Sequence, residues 1–332
     1  MKAMVMRAFG GPEVLQLEDF PDPVPGPGEV VVGVKAVSVN RTLDLVVREG
    51  RYPGEIKLPH IPGVDPSGEI IAVGEGVTDR KIGDRVVTIP WRIRPIGPME
   101  VVGVGYLGGY AEQVRLPAAA TVIIPDGLDF ATATIVTRHA PQAYNLLRDR
   151  AQVKPGETVL VMGAAGGLGS AAVQIAKALG ATVIAAAGAP DRVQAALDLG
   201  ADLGIDYRAT DMAAEAMRLT DGRGVDIVLE NIGDPELFTA AIASLARHGR
   251  LVTAGSHVSD VAPLNLKLLY LRQLSILGSL GFDRADAEAS LQLAAEGRMS
   301  ALIDRVMPLA DAAKAHELVA ARQGLGKLIL EP

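Results

Sequence analysis

Two patterns of hydrophobic and polar positions divide the chain. From Glu29 to about Val87, short β-branched runs (EVVVGVKAVSV, GEIIAVG, DRVVTI) are separated by Pro/Gly turns, which predicts an irregular all-β region. From about Pro155, apolar runs alternate with alanine-rich stretches of helical period. That alternation predicts a parallel sheet, because parallel strands need crossover helices. The pattern predicts strand Thr158–Met162 with helix Leu168–Leu179, strand Thr182–Ala187 with helix Asp191–Leu199, strand Val225–Leu229 with helix Pro235–Ala246, and a strand from Arg250 to Ala254. Gly180 and Gly200 stand just past two of these helices, where left-handed caps favour glycine. The last part, Arg284 to Pro332, reads as two amphipathic helices and a closing strand, KLILEP.

The chain has 332 residues, a length that allows about two domains of ordinary size, with a cleft between them. Lys and Arg number 32 against 39 Asp and Glu, a net charge of −7 with no basic run, which argues against a nucleic-acid partner. Hydrophobic residues make up 49% of the sequence, yet no stretch reaches the roughly 18 uninterrupted apolar residues of a membrane span. The opening residues Met1 to Leu17 carry Glu13 and glycines and lack an apolar signal core, so cytoplasmic residence is expected. Cysteine is absent, which removes disulfides, thiolate zinc sites and cysteine nucleophiles together.

The segment ETVLVMGAAGGLGSAAVQIAKALG places Gly163, Gly166 and Gly169 at three-residue spacing between a strand and a helix, with Gly167 and Leu168 inside the turn. Glycines there permit a tight turn, close approach of the backbone to a pyrophosphate, and close helix–strand packing. The free N–H groups and positive dipole end of the following helix would face the phosphates. An NAD site usually carries an acid at the end of the second strand. Here that strand ends Ala185-Ala186-Ala187-Gly188, without a carboxylate. Arg192, just inside the next helix, can pair with a 2′-phosphate instead, so NADPH is expected over NADH. The alternative for Arg192 is a solvated helix residue, paired with or offset by Asp191.

In this order the motifs resemble the medium-chain dehydrogenase/reductase superfamily, and more closely its zinc-free quinone oxidoreductase (zeta-crystallin-like) branch. The resemblance rests on MKAMVMRAFGGPEVLQLED, PGPGEVVVGVKAVSVNRTLD, REGRYPGEIKLPHIPGVDPSGEIIAVGEGV, IGDRVV, GGYAEQV, VKPGETVLVMGAAGGLG, LGADLGIDYR and GKLILEP. It implies an α/β protein, with a GroES-like, mostly-β catalytic domain over 1–126 and 272–332. A Rossmann domain with a doubly wound parallel sheet over 127–271 would bind the cofactor, with the nicotinamide in the cleft. It also implies a homodimer paired through the cofactor domain, where LKLLYLRQLSILGS resembles the pairing edge.

The zinc-dependent alcohol dehydrogenases of this superfamily carry a cysteine, a histidine and a further cysteine or acid as metal ligands. The matching positions here resemble Asn40, Val64 and roughly Thr137 to His139, and valine cannot coordinate. His60 is a stray imidazole without metal-binding neighbours in the sequence. No metal is therefore expected. Tyr52 matches a position where enoyl-thioester reductases carry a proton-donating tyrosine and quinone reductases a pocket tyrosine; packing beside Pro53 is the alternative. Asn40 resembles the quinone-reductase asparagine, able to hydrogen-bond a substrate carbonyl or to brace its loop. Soon after His139 quinone reductases read Gly-Leu-Thr where this chain reads Ala140-Pro141-Gln142, and either a place beside the cofactor, with Gln142, or a buried structural role is open to His139. Tyr207 matches a tyrosine lining the 2′-phosphate pocket. Asn231, Gly255-Ser256, Gly278-Ser279 and Lys327 fall at positions that imply contact with the cofactor.

Without a Lewis acid, reduction of an isolated ketone lacks charge stabilisation at oxygen, whereas a conjugated acceptor delocalises the charge that hydride addition creates. The expected activity is transfer of hydride from NADPH to a conjugated carbonyl, first a quinone, with 2-enoyl thioesters or alkenals as the alternative. Metal-free alcohol oxidation ranks below these. An NADPH-binding structural or regulatory protein is the non-enzymatic reading.

Overall fold

The computed structural model describes residues 1–89 and 101–332. Along the chain come β1 (Lys2–Met6), β2 (Leu15–Asp19), β3 (Glu29–Ser38), the short α1 (Asp44–Arg48), β4 (Ser67–Val73), β5 (Arg85–Thr88), β6 (Gln113–Pro117), β7 (Thr121–Ile123) and α2 (Phe130–Tyr144). The alternating part follows: β8 (Thr158–Met162), α3 (Gly167–Ala178), β9 (Thr182–Ala187), α4 (Pro190–Asp198), β10 (Leu203–Asp206), α5 (Met212–Leu219), β11 (Val225–Glu230), α6 (Pro235–Ser244), β12 (Leu245–Thr253), α7 (Leu266–Leu271) and β13 (Ser275–Gly278). The chain closes with α8 (Arg284–Ala295), β14 (Ile303–Pro308), α9 (Ala312–Ala320) and β15 (Lys327–Glu331).

These elements form two compact units. The first holds Met1–Arg138, Ala287–Gly297 and Ala301–Pro332; the second holds His139–Asp286 and Arg298–Ser300. In the first, the strands run in the order β14-β15-β3-β4-β5-β7, with β6 also pairing with β3. The valines of β3 explain its place as the hub. Val30, Val32 and Val34 pack with Ile70, Val86, Val114 and Leu116, whereas Val37 joins Met4, Met6, Ile61, Tyr110, Leu328 and Leu330 in a second core cluster. β15 pairs antiparallel with β3, Ile329 opposite Ser38, and Val39 N–H donates to Leu328 O at 3.0 Å. That register brings Lys327 opposite the chain that leaves β3 at Asn40.

The second unit is a parallel six-stranded sheet in the order β10-β9-β8-β11-β12-β13. Its central strands are buried on both faces, as the near-continuous apolar runs of a helix-covered parallel sheet require. The strand order reverses between β8 and β11, and doubly wound sheets bind ligands outside the strand C-termini at such a point.

The structure departs from the sequence pattern in five places. β10 and α5 form between Ala201 and Thr220, where GID is too short a run to announce a strand. α6 stops at Ser244, whose hydroxyl bonds back to Ala240 O, and Leu245 enters β12 directly in place of a helix reaching Ala246. β14 adds a strand to the C-terminal part. The segment from Arg272 to Asp286 stays with the sheet of the second unit, because β13 pairs with β12, so the return to the first unit begins at Ala287 and not at Arg272. Residues 127–138 likewise belong to the first unit. Ser67 Oγ donates to Phe130 O at 2.9 Å, Thr134 Oγ1 donates to Ser67 Oγ at 2.8 Å, and Ile135 packs with Ala36 and Ile329.

Candidate functional site

In the second unit the glycine turn follows β8 at the predicted place. Gly163 has φ +60, and a Cβ there would come within 2.8 Å of Asn231 Oδ1, so the bare turn is what admits the Asn231 side chain. A Cβ on Gly169 would lie 2.1 Å from Gly163 O, so α3 can pack this closely only with hydrogen at that position. Gly166 caps α3 in an extended conformation with no side-chain cap, and the first turn has no acid. By contrast Asp211, Asp234 and Asn265 cap α5, α6 and α7 with their own side chains. The start of α3 thus keeps N–H donors and the positive end of its dipole available to an anion, as a dinucleotide pyrophosphate needs. Leu168 lies half-buried in its first turn.

His139 stands against this turn. A Cβ on Gly167 would meet its Nε2 at 2.4 Å, so the imidazole fills the space beside Gly167. Gln142, one turn on, braces another loop: its Nε2 donates to Ser279 Oγ at 3.1 Å and its Oε1 accepts from Gly281 N–H at 2.9 Å. Ser279 Oγ donates in turn to Asn145 Oδ1. Glu230 is buried at the end of β11, accepts from the N–H groups of Ile232 and Gly233 and from Thr253 Oγ1, and so fixes the backbone that carries Asn231. Ser256 is exposed on the loop after β12.

At the end of β9, a Cβ on Gly188 would meet the Tyr207 ring and hydroxyl at 2.9 Å, so the tyrosine lies flush against that glycine. Arg192 is half-buried, and Arg208 is exposed on the chain after Tyr207. Among the described residues neither guanidinium pairs with a carboxylate, Asp191 included. Asp206 turns its carboxylate to Arg208 N–H at 2.9 Å. Arg208 escaped the sequence reading, although it directly follows Tyr207 in GIDYR.

The first unit holds a buried polar cluster. Asn40, 1% exposed, uses its whole amide: Oδ1 accepts from Lys327 Nζ at 2.8 Å and from Arg138 Nε at 3.4 Å, and Nδ2 donates to Ser38 Oγ at 3.0 Å and Asp65 Oδ2 at 2.9 Å. Ser38 fills the rest of Asp65, with its N–H at 2.9 Å and its hydroxyl at 2.5 Å. A carboxamide has two acceptor and two donor positions, so Asn40 keeps no donor for a substrate oxygen and acts as the brace. Lys327 belongs to this cluster. Burial, helped by the Arg138 charge, pushes its ammonium down to about 8 against the pull of Asp65 and Asp44.

Asp44 accepts from Asn40 N–H at 2.7 Å and Gly63 N–H at 3.1 Å, while burial and then the Asp65 charge push its carboxyl up to about 7. Behind it Tyr110 and His316 are fully buried. Arg48 can only donate, so His316 Nδ1, 3.3 Å from Arg48 Nη1, is the acceptor. Nε2 therefore carries the proton and donates to Tyr110 Oη at 3.1 Å. Burial, with Arg48 adding, pushes the imidazole down to about 3, and burial raises the Tyr110 phenol.

Val64 and Tyr52 share a small apolar cluster with Val47, Val101 and Val104. The Tyr52 phenol is raised by burial, and its hydroxyl has no partner among the described residues. His60 is buried and spends Nε2 on Gly103 O at 3.0 Å. Among the described residues no three His, Asp or Glu side chains converge as a metal site would need. Arg138, Asp44 and the Arg48–His316–Tyr110 chain were missed by the sequence reading, which named Lys327 but not its bond to Asn40. A cation inside the apolar run IVTRHAP was the one available signal for Arg138.

Comparison with known proteins bears on both units. Residues 26–126 match the family model for an alcohol dehydrogenase GroES-like domain, and residues 167–296 the model for a zinc-binding dehydrogenase. A quinone oxidoreductase of Pseudomonas aeruginosa is 34% identical, covering 100% of this chain and 99% of its own. The crystal structure of AibC superposes with a TM-score of 0.94 at 34% identity, covering 100% of this chain and 96% of that one. That of an NAD-dependent alcohol dehydrogenase gives 0.91 at 38% identity, with both chains covered completely.

Proposed function

Because this chain belongs to the medium-chain dehydrogenase/reductase superfamily, in its quinone oxidoreductase-like branch, we propose that it reduces conjugated carbonyl compounds with NADPH, without zinc, and that quinones are its first acceptors. The observation that carries the reading is the donor set around Asn40. Val64 offers no ligand atom, Asn40 is saturated, and the local positive charge comes from Arg138 and Lys327. Such a site favours acceptors that delocalise charge themselves.

Bound NADPH supplies hydride from C4 of its nicotinamide. The protein's part is binding and orientation. The uncapped start of α3 and the bare Gly163 and Gly169 receive the pyrophosphate. Arg192, Tyr207 and Arg208 suit the 2′-phosphate, because two guanidinium groups lacking carboxylate partners can each donate charge-assisted bonds to it. Asn231, held by the Glu230 brace, and Ser279, held by Gln142 and Asn145, are positioned to contact the cofactor. Among the described residues the Tyr52 hydroxyl has no partner, which favours a second reading in which it protonates the enolate formed from a 2-enoyl thioester or alkenal.

The quaternary reading is a homodimer through the cofactor unit. α7 buries none of its residues, Leu266, Tyr270 and Leu271 are 66%, 66% and 55% exposed, and β13 leaves the sheet edge beside them open. The test of the activity is NADPH oxidation against a panel of benzoquinone, naphthoquinone, an alkenal and a crotonyl thioester. Tight NADPH binding with no turnover on any of them refutes the reductase reading and leaves a binding protein. Oxidation of simple alcohols by NADP+ refutes the preference for conjugated acceptors.

A further inference from the structure

Among the described residues two groups of the Asn40 cluster keep donors without a partner, the terminal amino groups of Arg138 and the remaining N–H groups of Lys327, and of these Arg138 alone offers a planar fork. Thr134, Ile135 and Arg138 lie on one face of α2, and the first two are tied to Ser67 and to Ala36 and Ile329, which delivers Arg138 beside Asn40. The contact is through Nε, so both terminal amino groups of the guanidinium are directed elsewhere. Among the described residues they have no hydrogen-bond partner. Arg138 is half-buried, not solvated on the surface. Lys327 meets the same Asn40 oxygen, so two cations converge on one neutral amide, while Asp65 is already occupied by Ser38 and Asn40. Two N–H groups of a fixed planar fork, in a partly desolvated place with surplus positive charge, are suited to an oxygen that becomes negative.

We infer that Arg138 is a catalytic residue that receives the acceptor's carbonyl oxygen through its two terminal amino groups and stabilises it as an enolate or hydroquinone anion. The inference rests on the proposed reductase function and deepens it, since it defines the acceptor class as one whose oxygen gains charge. When the β-carbon of an enone or enoyl thioester, or one oxygen of a quinone, takes hydride, with two electrons, from NADPH, which is oxidised to NADP+, the displaced π pair moves through the conjugated system onto the carbonyl oxygen that remains. Arg138 holds that oxygen, and a proton from the Tyr52 hydroxyl, regained from water, completes the reduction. Asn40 is a positioning residue, because its Oδ1 accepts from Arg138 Nε and leaves the terminal amino groups to the acceptor, and Lys327 acts on Arg138 only through that shared oxygen.

Two readouts separate the possibilities. The first needs no turnover: 4-nitrophenol is titrated bound to the NADP+-loaded protein, since its phenolate mimics the anionic oxygen and absorbs differently from the phenol. A nearby guanidinium lowers the probe's bound pKa by about 1–3 units relative to free probe. Arg138→Gln is expected to abolish that lowering and Arg138→Lys to keep part of it. Equal bound pKa values in wild type and Arg138→Gln, or the absence of saturable binding to wild type, overturn the inference. The second is turnover, where Arg138→Gln is expected to lose about 10²–10³-fold in kcat, with NADPH affinity within about twofold of wild type. Unchanged kcat in Arg138→Gln overturns the inference while the reductase reading stands. A wild-type protein inactive on every acceptor overturns that reading, and the phenolate titration still decides the oxyanion role. Arg138→Lys, which preserves charge and bulk, controls for misfolding.

Discussion

A single methyl group at Gly169 tests the cofactor turn. In Gly169→Ala the new carbon would lie 2.1 Å from Gly163 O, 2.7 Å from Gly163 C and 2.9 Å from Ala164 Cα, all backbone atoms of the turn itself. Nothing there can rotate aside, so the turn must open. Overpacking of this kind costs about 1–3 kcal/mol, and the gain of replacing glycine by alanine in a helix offsets about 1 kcal/mol. The net loss of about 0–2 kcal/mol corresponds to a fall of a few degrees in Tm. Binding should suffer more. Displacing the donors at the start of α3 removes at least one charge-assisted bond, about 1.5–3 kcal/mol, or roughly 10- to 100-fold in Kd for NADPH. Gly167→Ala supplies the contrast, since its methyl meets a side chain, His139 Nε2, at 2.4 Å. Adding His139→Ala removes the obstacle, and a double-mutant cycle should show a favourable coupling of about 1 kcal/mol in NADPH binding by titration calorimetry. Wild-type affinity and Tm in Gly169→Ala, or no rescue of Gly167→Ala by His139→Ala, refutes this account of the turn.

Further outcomes follow from the other groups. Arg192→Ala and Arg208→Ala should each weaken NADPH about 10-fold or more while changing NADH little, by fluorescence titration; equal losses for both nucleotides remove the 2′-phosphate assignment. Tyr52→Phe should slow enone or enoyl-thioester reduction about 10²-fold or more and leave NADPH binding unchanged, and equal rates exclude it as proton donor. Asp44 carries a raised carboxyl, from 3.8 to about 7, so the native state holds a proton that the unfolded chain has lost between about pH 4 and 7. Its contribution to stability is present in full below pH 4 and disappears as pH rises through 7. Asp44→Asn should therefore flatten the pH dependence of urea unfolding over that window, and an unchanged profile contradicts the assignment. If the protein is the proposed homodimer, Leu266→Asp with Tyr270→Asp should turn a dimeric mass in sedimentation into a monomeric one; a monomeric wild type refutes the dimer, and an unaltered dimeric mass moves the interface elsewhere.

The glycine turn shows how far local sequence reaches. Gly163, Gly166 and Gly169 lie between a strand and a helix that are each legible from hydrophobic period, and the constraint on Gly169, the Gly163 carbonyl, acts within a few residues of chain, whereas Gly163 also makes room for the distant Asn231. The strands Thr158–Met162 and Thr182–Ala187 were legible for the same reason, since a buried parallel strand is a continuous apolar run. β10, β14 and the end of α6 were not, because pairing partners far along the chain decide them: Leu203 opposite Ile184, Ile303 opposite Lys327, Leu245 opposite Val225.

The candidate chemistry divides in the same way. Absence of cysteine, a valine at position 64 and a missing acid after Ala187 are properties of composition and order, so the sequence by itself bounded the metal and nucleotide expectations. What Asn40 does could not be read there. Its amide is saturated by Ser38 and Asp65 nearby and by Arg138 and Lys327, 98 and 287 residues away, and only the pairing of β15 with β3 and the anchoring of α2 on Ser67 bring them together. A side chain's hydrogen-bond partners are set by three-dimensional neighbours, and burial sets how strongly each charge counts. Tertiary structure therefore decided that Asn40 braces its cluster and that the terminal amino groups of Arg138 stand beside it without a partner among the described residues.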